Sequence, residues 1–296
     1  MLVIGRTARL TSLRMSLDPA VVGKRTGVHT LTYDWRTLAL YALGIGAKRD
    51  ELDYLYEARG PKVYPTFAVV PTYPVLIELL GVCGGDVTRM VHGAQSIRVH
   101  APLPPRGELE TTGFISGVYD LRRMGQLVFQ TETRVGGQLV YDTEWSLIFV
   151  GDGGFGGPRP PKSRVSNRPE ASEPAFTFEE TTSPEQALLY RLSGDPNPLH
   201  VDPEFAAQLG FTDGPILHGL ATFGFCARAL IKSQLGGDAS RLVALHAQFR
   251  KPVWPGEVLR TVGYAEGAHE YAMKAFAGGR DEPVALLKAE LASGAG

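Results

Sequence analysis

Two cysteines in 296 residues, Cys83 and Cys226, are too few for a disulfide framework or a cysteine-based zinc site. Their apolar or glycine-rich settings argue against a catalytic thiol pair, and a reducing cytoplasm suits them. No uninterrupted apolar run approaches the ~20 residues needed to span a bilayer. Charge of one sign is missing too: a formal net charge of −1 gives no general attraction to nucleic acid or to an anionic membrane. The first sixteen residues contain no acid but carry Arg6, Arg9 and Arg14, a composition that admits a transit peptide. A disordered extension over residues 1–19, or initiation at Met15, is the simpler expectation. The C-terminal Ser-Gly-Ala-Gly is not a Ser-Lys-Leu peroxisomal address.

What is present is ordinary in bulk. Hydrophobic content of 44% and charge of 21% place the chain among globular proteins large enough for one large domain or two of common size. A faint internal repeat favours two. Leu40-Tyr41-Ala-Leu43-Gly-Ile-Gly46 reads against Leu189-Tyr190-Arg-Leu192-Ser-Gly-Asp195, and Pro105-Arg-Gly107-Glu108 against Pro255-Gly256-Glu257, both at an offset of 149. The expected organisation is a first unit over 20–150, a linker over 151–173 and a second unit over 174–296. Glycines 151–157 in the linker lack the Gly-Lys-Ser/Thr ending of a phosphate loop and run into prolines rather than a helix.

The patterning predicts a helix near 35–44 and one from the capping box Ser183-Pro-Glu-Gln186 to about residue 192. A short helix opens at Asp202-Pro203, and a helix over 218–235 is apolar on most faces and hence buried. Strands are expected at 94–101, 108–119, 126–134 and 139–150, and again at 242–250, 257–265, 270–277 and 283–292.

Chemistry concentrates in Leu189-Tyr-Arg-Leu-Ser-Gly-Asp195-Pro-Asn-Pro-Leu-His200. Pro196 and Pro198 forbid a continuous helix, and Gly194 permits a sharp turn just before Asp195. Such a rigid turn can aim a carboxylate and an imidazole at one point, as acid–base work on a small reacting centre requires. The plain alternative is a turn in which Asp caps a helix and His is merely polar. Asp195, Asn197, His200 and Asp202 can also be read as metal ligands, but Asp202 before Pro203 is better explained as a helix cap. In the first copy Gly46 stands where the second has Asp195, and Glu51 stands where it has His200. One unit keeps the acid–base pair and the other serves as support.

This segment resembles the signature of the MaoC-like, (R)-specific (type 2) enoyl-CoA hydratases, a branch of the hotdog-fold superfamily. Gly214-Pro-Ile-Leu-His218-Gly219-Leu-Ala-Thr-Phe-Gly-Phe and Phe249-Arg-Lys-Pro-Val-Trp-Pro-Gly256 are similar to the family's central-helix opening and following strand. Leu40–Ala47, Leu55-Tyr-Glu57, Pro65-Thr-Phe67, His92-Gly93 and Gly153–Gly157 resemble the N-terminal half of its long members. The resemblance implies an α+β double hotdog, two antiparallel sheets each wrapped around a long central helix.

It further implies reversible hydration of a trans-2-enoyl-CoA to a (3R)-3-hydroxyacyl-CoA, in fatty acid metabolism, β-oxidation included. Asp195 and His200 would hold the water, and the Gly219 amide would stabilise the thioester oxygen. Asn197, Glu57, His92, Gly93, Arg122 and Phe249 would bind substrate, with Arg250-Lys251 a second basic candidate for the CoA phosphates and His218 a structural neighbour. The degenerate first unit would leave room for medium or long acyl chains. No metal or redox cofactor is expected, CoA being part of the substrate. A homodimer in the cytoplasm, with no nucleic-acid or membrane partner, completes the expectation. The rival readings are a hotdog acyl-CoA thioesterase, a non-catalytic acyl-CoA-binding scaffold and an enzyme of acyl-carrier-protein substrates.

Overall fold

The structure is a computed structural model and describes residues 16–165 and 173–293. Its strands are β1 (His29–Tyr33), β2 (Met90–Val99), β3 (Gly107–Asp120), β4 (Met124–Val135), β5 (Gln138–Val150), β6 (Phe176–Thr181), β7 (Leu242–Phe249), β8 (Val258–Ala265), β9 (Glu270–Ala277) and β10 (Ala285–Leu291). In β3 and β4 buried positions alternate with more open ones, as period-2 side chains on a sheet covered mainly on one face demand. All ten join one antiparallel sheet in the order β1-β3-β4-β5-β2-β7-β10-β9-β8-β6. Read inward from either end, each half has the same connectivity, so the internal repeat is a structural duplication.

The double-hotdog arrangement is present, with two departures from the expected form. First, the two half-sheets are not separate. β2 and β7 pair edge to edge from Ala94↔Gln248 to Arg98↔Ala244, which removes two exposed strand edges. Side chains reinforce the seam: His246 Nδ1 lies 2.8 Å from the Ser96 hydroxyl, and Arg98 donates to Glu290 at 2.8 Å.

Second, only the second half has a long central helix. The helices are α1 (Trp35–Gly44), α2 (Tyr73–Leu80), α3 (Gln186–Tyr190), α4 (Pro203–Gln208) and α5 (Gly219–Gln234). α5 is buried at every position from Leu220 to Ile231. Its counterpart in the first half is a 3₁₀ run, Pro65–Thr72, followed by the eight residues of α2. Pro71 inside the run and Pro74 just beyond it supply no amide protons, so one continuous helix cannot form there.

The caps follow the sequence. Asp34 accepts from Arg36 N and Thr37 N at the start of α1, and Asp202 accepts from Glu204 N and Phe205 N at the start of α4. Ser183 and Gln186 bond each other's turn, but α3 begins only at Gln186 and its last turn, Arg191–Ser193, is 3₁₀.

Residues 1–15 of the expected N-terminal extension lie outside the described residues, and the remainder of it is part of the fold. Leu17 is buried, and Asp18 N donates to Cys83 O at 3.0 Å. The first part of the expected linker is likewise tied down. Buried Asp152 accepts from Asp86 N at 2.9 Å, and Asp120 accepts from the amides of Gly154 and Gly156. Residues 166–172 lie outside the described residues. No described helix is long and apolar enough to cross a membrane.

One polar cluster crosses the core. Arg228 on α5, fully buried, donates to Glu51 Oε1 at 2.8 Å and to Glu180 on β6 at 2.7 Å. Tyr64 and Lys232 also donate to Glu51, at 2.6 and 3.1 Å. Burial alone would raise the Glu51 carboxyl, but the Arg228 bonds and charge outweigh it and hold that carboxyl below the usual range. Burial dominates at Glu180, whose carboxyl is raised despite Arg228. Glu51 has the fuller set of donors, which accounts for the difference. Removing the guanidinium leaves two buried carboxylates without their main donor. Arg228→Met is therefore expected to cost about 3–5 kcal/mol in a urea unfolding titration; a loss below about 1 kcal/mol would contradict the arrangement.

Candidate active site

The Asp195 turn is built as its sequence suggests. Gly194 ends the Arg191–Ser193 turn in the left-handed region, at φ +118°, which a side chain would strain. Asp195 Oδ1 then accepts from Asn197 N at 3.2 Å, and Asn197 Oδ1 accepts from Leu199 N at 3.0 Å. The short 3₁₀ turn Pro198–His200 delivers His200 to the interior. His200 Nδ1 lies 2.8 Å from the Ile216 carbonyl, which can only accept, so Nδ1 carries the proton and Nε2 presents a lone pair.

His218, the residue before α5, lies over His200 with ring centroids 3.7 Å apart. Its Nε2 donates to the Asp195 carbonyl at 3.3 Å, and its buried Nδ1 has no hydrogen-bond partner. The functional atoms of Asp195, His200 and His218 all lie within 4.8 Å of one another. Burial pushes His200 below its ordinary value, partly opposed by the Asp195 charge and the Ile216 carbonyl. Burial and then His200 push His218 well below. Both imidazoles are accordingly neutral at pH 7.

These groups line a cavity of about 430 Å³ between the two halves. Asp195, Asn197, His200, His218 and Gly219 line it from the second half, together with Phe249. The first half contributes Tyr73, Leu76, Ile77 and Leu80 of α2, Met90 to His92 of β2, and Trp145 and Leu147 of β5. His92 stacks on Trp145 and meets Phe249 edge-on, and burial drives it down to about 4. Gly219 opens α5, which has no side-chain cap, so backbone amides at this helix start are available to a ligand.

Asp195, His200, Gly219, Asn197, His92 and Phe249 are thus brought together as expected. Three other candidates are not. Glu57 lies on an exposed 3₁₀ turn, Glu57–Arg59, while the inward direction of that loop is taken by Tyr54, stacked on Tyr64 at 3.9 Å. Arg122 occupies the β3–β4 turn at φ 70°, exposed, its amide held by Asp120. Gly93 sits in a bulge of β2, where a Cβ would come within 2.8 Å of Ile148. It allows close packing beside His92 and does not itself face the cavity. Arg250 and Lys251, the second basic candidate, do line the cavity.

The tail wall was not legible beforehand, because α2 follows a proline-broken run and its contacts cross between the halves. His218, expected to be structural, belongs to the same motif as Gly219 and also lines the cavity.

The first copy's loss of chemistry has a steric cause. Gly46 lies at φ +85°, and a Cβ there would approach the Phe225 ring to 2.3 Å. No carboxylate can occupy that position, and Glu51 is committed to Arg228. The cysteines stay outside the chemistry: both are buried, and burial pushes the Cys226 thiol up to about 12.

As a metal set, Asp195, His200 and His218 are close enough but poorly aimed. Ring planes only 28° apart and stacked at 3.7 Å confine their lone pairs to two nearly parallel planes. Lone pairs confined to two such planes do not meet at one ion at the ~2.0–2.1 Å that imidazole ligation needs. The set with Asp202 fails separately, because that carboxylate is spent on capping α4.

Both halves of the chain resemble known proteins. Residues 31–151 match the family model described as the MFE-2 hydratase 2 N-terminal domain, and residues 166–282 match the MaoC like domain. The chain is 37% identical to 3-hydroxyacyl-thioester dehydratase Y of Mycobacterium tuberculosis, over 84% of this chain and 87% of that one. It is 38% identical to the peroxisomal enoyl-CoA hydratase 2 of Arabidopsis thaliana, over 80% and 83%. The crystal structure of a MaoC-like dehydratase from Phytophthora capsici superposes with a TM-score of 0.84 at 29% identity, covering 94% and 98% of the two chains.

The neutral histidines carry a pH signature. Unfolded histidine binds a proton below about 6.5, whereas folded His200, His218 and His92 resist it. The unfolded state then holds more protons, so stability is full above about pH 6.5 and drains as pH falls toward the depressed folded values. The limiting slope is about 1.4 kcal/mol per pH unit for each such histidine. Urea midpoints between pH 8 and 5 should fall accordingly, less steeply in His218→Gln; a flat profile would contradict neutral burial.

Proposed function

The chain belongs to the MaoC-like, hydratase 2 family, and on that premise we propose that it hydrates trans-2-enoyl-CoA thioesters reversibly to (3R)-3-hydroxyacyl-CoA. The observation that carries this reading is the convergence of Asp195, neutral His200 and the start of α5 on one largely apolar cavity. Water is held between the Asp195 carboxylate and the bare His200 Nε2. Its oxygen bonds to C3 as Asp195 takes its proton, the C2–C3 double bond shifts its electrons toward the thioester, and the charge gathers on the thioester oxygen. The Gly219 N–H, at the positive end of α5, stabilises that oxygen until the proton taken up by Asp195 is delivered to C2, which completes the addition of water and restores the carboxylate. No metal is required at any step.

The apolar wall from α2, β2 and β5 supports medium or long acyl chains, and Arg250 and Lys251 supply positive charge for the CoA phosphates. The family resemblance supports a homodimer, and the two free, buried cysteines support a reducing compartment such as the cytoplasm. Thioester hydrolysis would instead release CoA thiol.

With purified protein and trans-2-enoyl-CoA of C4, C8, C10 and C16, enoyl absorbance should fall, most rapidly above C4, to give the 3R alcohol without thiol release. No loss at any length would refute the reading. Asp195→Asn should reduce kcat by about 10²–10⁴ while folding normally; near-parent turnover would remove Asp195 from the chemistry. Gly219→Pro isolates the amide. Proline is tolerated at a first helical position, and His218 already has the extended conformation (φ −57°, ψ 133°) that precedes proline. An unchanged thermal midpoint with kcat lowered about 10²–10³ is expected, and undiminished kcat would exclude the amide.

A further inference from the structure

We propose that His218 is a positioning residue that ties Asp195 and His200 to the start of α5 and so fixes the gap in which water is held. Its kinetic consequences rest on the hydratase reading; the contacts themselves do not. His218 touches both partners: Nε2 donates to the Asp195 carbonyl at 3.3 Å, and its ring covers His200 at 3.7 Å. The residue is itself held from several sides. Leu217 N donates to Val253 O at 2.7 Å, and the His218 carbonyl accepts from Ala221 N and Thr222 N of α5 at 3.0 and 3.2 Å. Buried Tyr190 packs against the imidazole with ring centroids 4.9 Å apart. With only 1% of its surface exposed, His218 has no room to swing away.

The acid–base turn needs such an anchor. Asp195 is partly exposed and follows Gly194, and the bond from Asn197 N to its carboxylate lies within the turn and moves with it. The bond from His218 reaches the turn from outside. At the other end His200 Nδ1 donates to Ile216 O, two residues before His218. Residues 216–218 therefore hold both ends of the turn, and the Gly219 N–H follows directly on them. One short segment sets carboxylate, imidazole and helix start relative to one another.

His218 does this without exchanging protons. Its Nδ1 is buried and has no hydrogen-bond partner among the described residues. A proton there would make an N–H without an acceptor, beside His200 and near Arg191. Asp195, Tyr190 and Arg191 are the other titratable groups next to the two rings, and Tyr73 and His92 line the cavity from the first half. An anchor that stays neutral leaves the reacting proton to Asp195 and His200.

Two substitutions divide the anchor into its parts. His218→Phe keeps a ring over His200 and removes the donor to Asp195, whereas His218→Gln keeps a donor of similar reach and uncovers His200. In His218→Phe kcat should fall about 3- to 10-fold, the range for one neutral hydrogen bond, with KM changed less than about twofold. The His200 titration should stay as in the parent, and in an Asp195→Asn background His218→Phe should add little. In His218→Gln the His200 imidazole, followed by its ¹⁵N resonances and assigned by their loss in His200→Gln, should titrate at higher pH, toward ~6.5, as water reaches it. The acid limb of the kcat profile should move with it. In the parent, His218 should show a protonated Nε2 and a bare Nδ1 at neutral pH, a readout that needs no folded variant of the anchor. A moved His200 titration in a protein that hydrates no enoyl-CoA would keep the anchor and sink the hydratase reading instead. A His200 titration unmoved in His218→Gln, undiminished kcat in His218→Phe, or the opposite tautomer of His218 would overturn the proposal.

Discussion

The buried guanidinium of Arg228 is the point at which the two halves must agree. A charge taken out of water is tolerable only when its partners are in place, and these come from separate parts of the chain: Glu51 from the first half and Glu180 from β6. Together they fix where α5 lies. Gly219 is nine residues upstream on that rigid helix, about 13 Å along its axis, so the cluster also fixes where the helix start meets the cavity. Glu51 holds the position at which a duplicated acid–base site would have its histidine, and its carboxylate serves the assembly of the other half.

That exchange explains why a duplicated chain has one working site. In the first half the space for a second carboxylate is filled by Phe225, and the equivalent of the long helix is broken by proline. The shorter α2 turns Leu76, Ile77 and Leu80 toward the remaining site. Symmetry survives in the sheet, where each half keeps its strand order and the seam between β2 and β7 makes the halves one body. It is lost where substrate would lie. One half supplies polar groups and the other mainly apolar wall, an asymmetry that suits a molecule with a reactive head and a greasy tail.

The electrostatics of the site follow from burial more than from charge. Burial lowers both imidazoles, and His200, 3.7 Å away, further disfavours charge on His218, so both remain neutral. Each gives its proton to a backbone carbonyl and leaves the other nitrogen bare. Asp195 is then the single formal charge among the three, set against a helix start of opposite polarity. Polar groups oriented in advance do not have to reorganise as charge moves from a water oxygen to a thioester.

Local features can be read from the residues alone. The turn at Gly194–His200, the caps at Asp34 and Asp202, the buried span of α5 and eight of the ten strands are written in spacing, proline placement and hydrophobic period. So is the duplication, and with it the pairing of a working site with a blunted one. Short edge strands β1 and β6 escaped because five or six half-exposed residues carry little periodic signal.

Whatever depends on two distant segments meeting comes from how the chain packs. Glu57, Arg122 and Gly93 belong to plausible motifs, yet the packing of Tyr54, the β3–β4 turn and the β2 bulge keep their side-chain positions off the cavity. Tyr73, Leu76 and Ile77 have no motif and line the same cavity as Asp195 only because α2 is packed against β3. Local pattern is legible because φ/ψ preference and period act over a few residues. Contact between halves is not, because it depends on how whole surfaces fit.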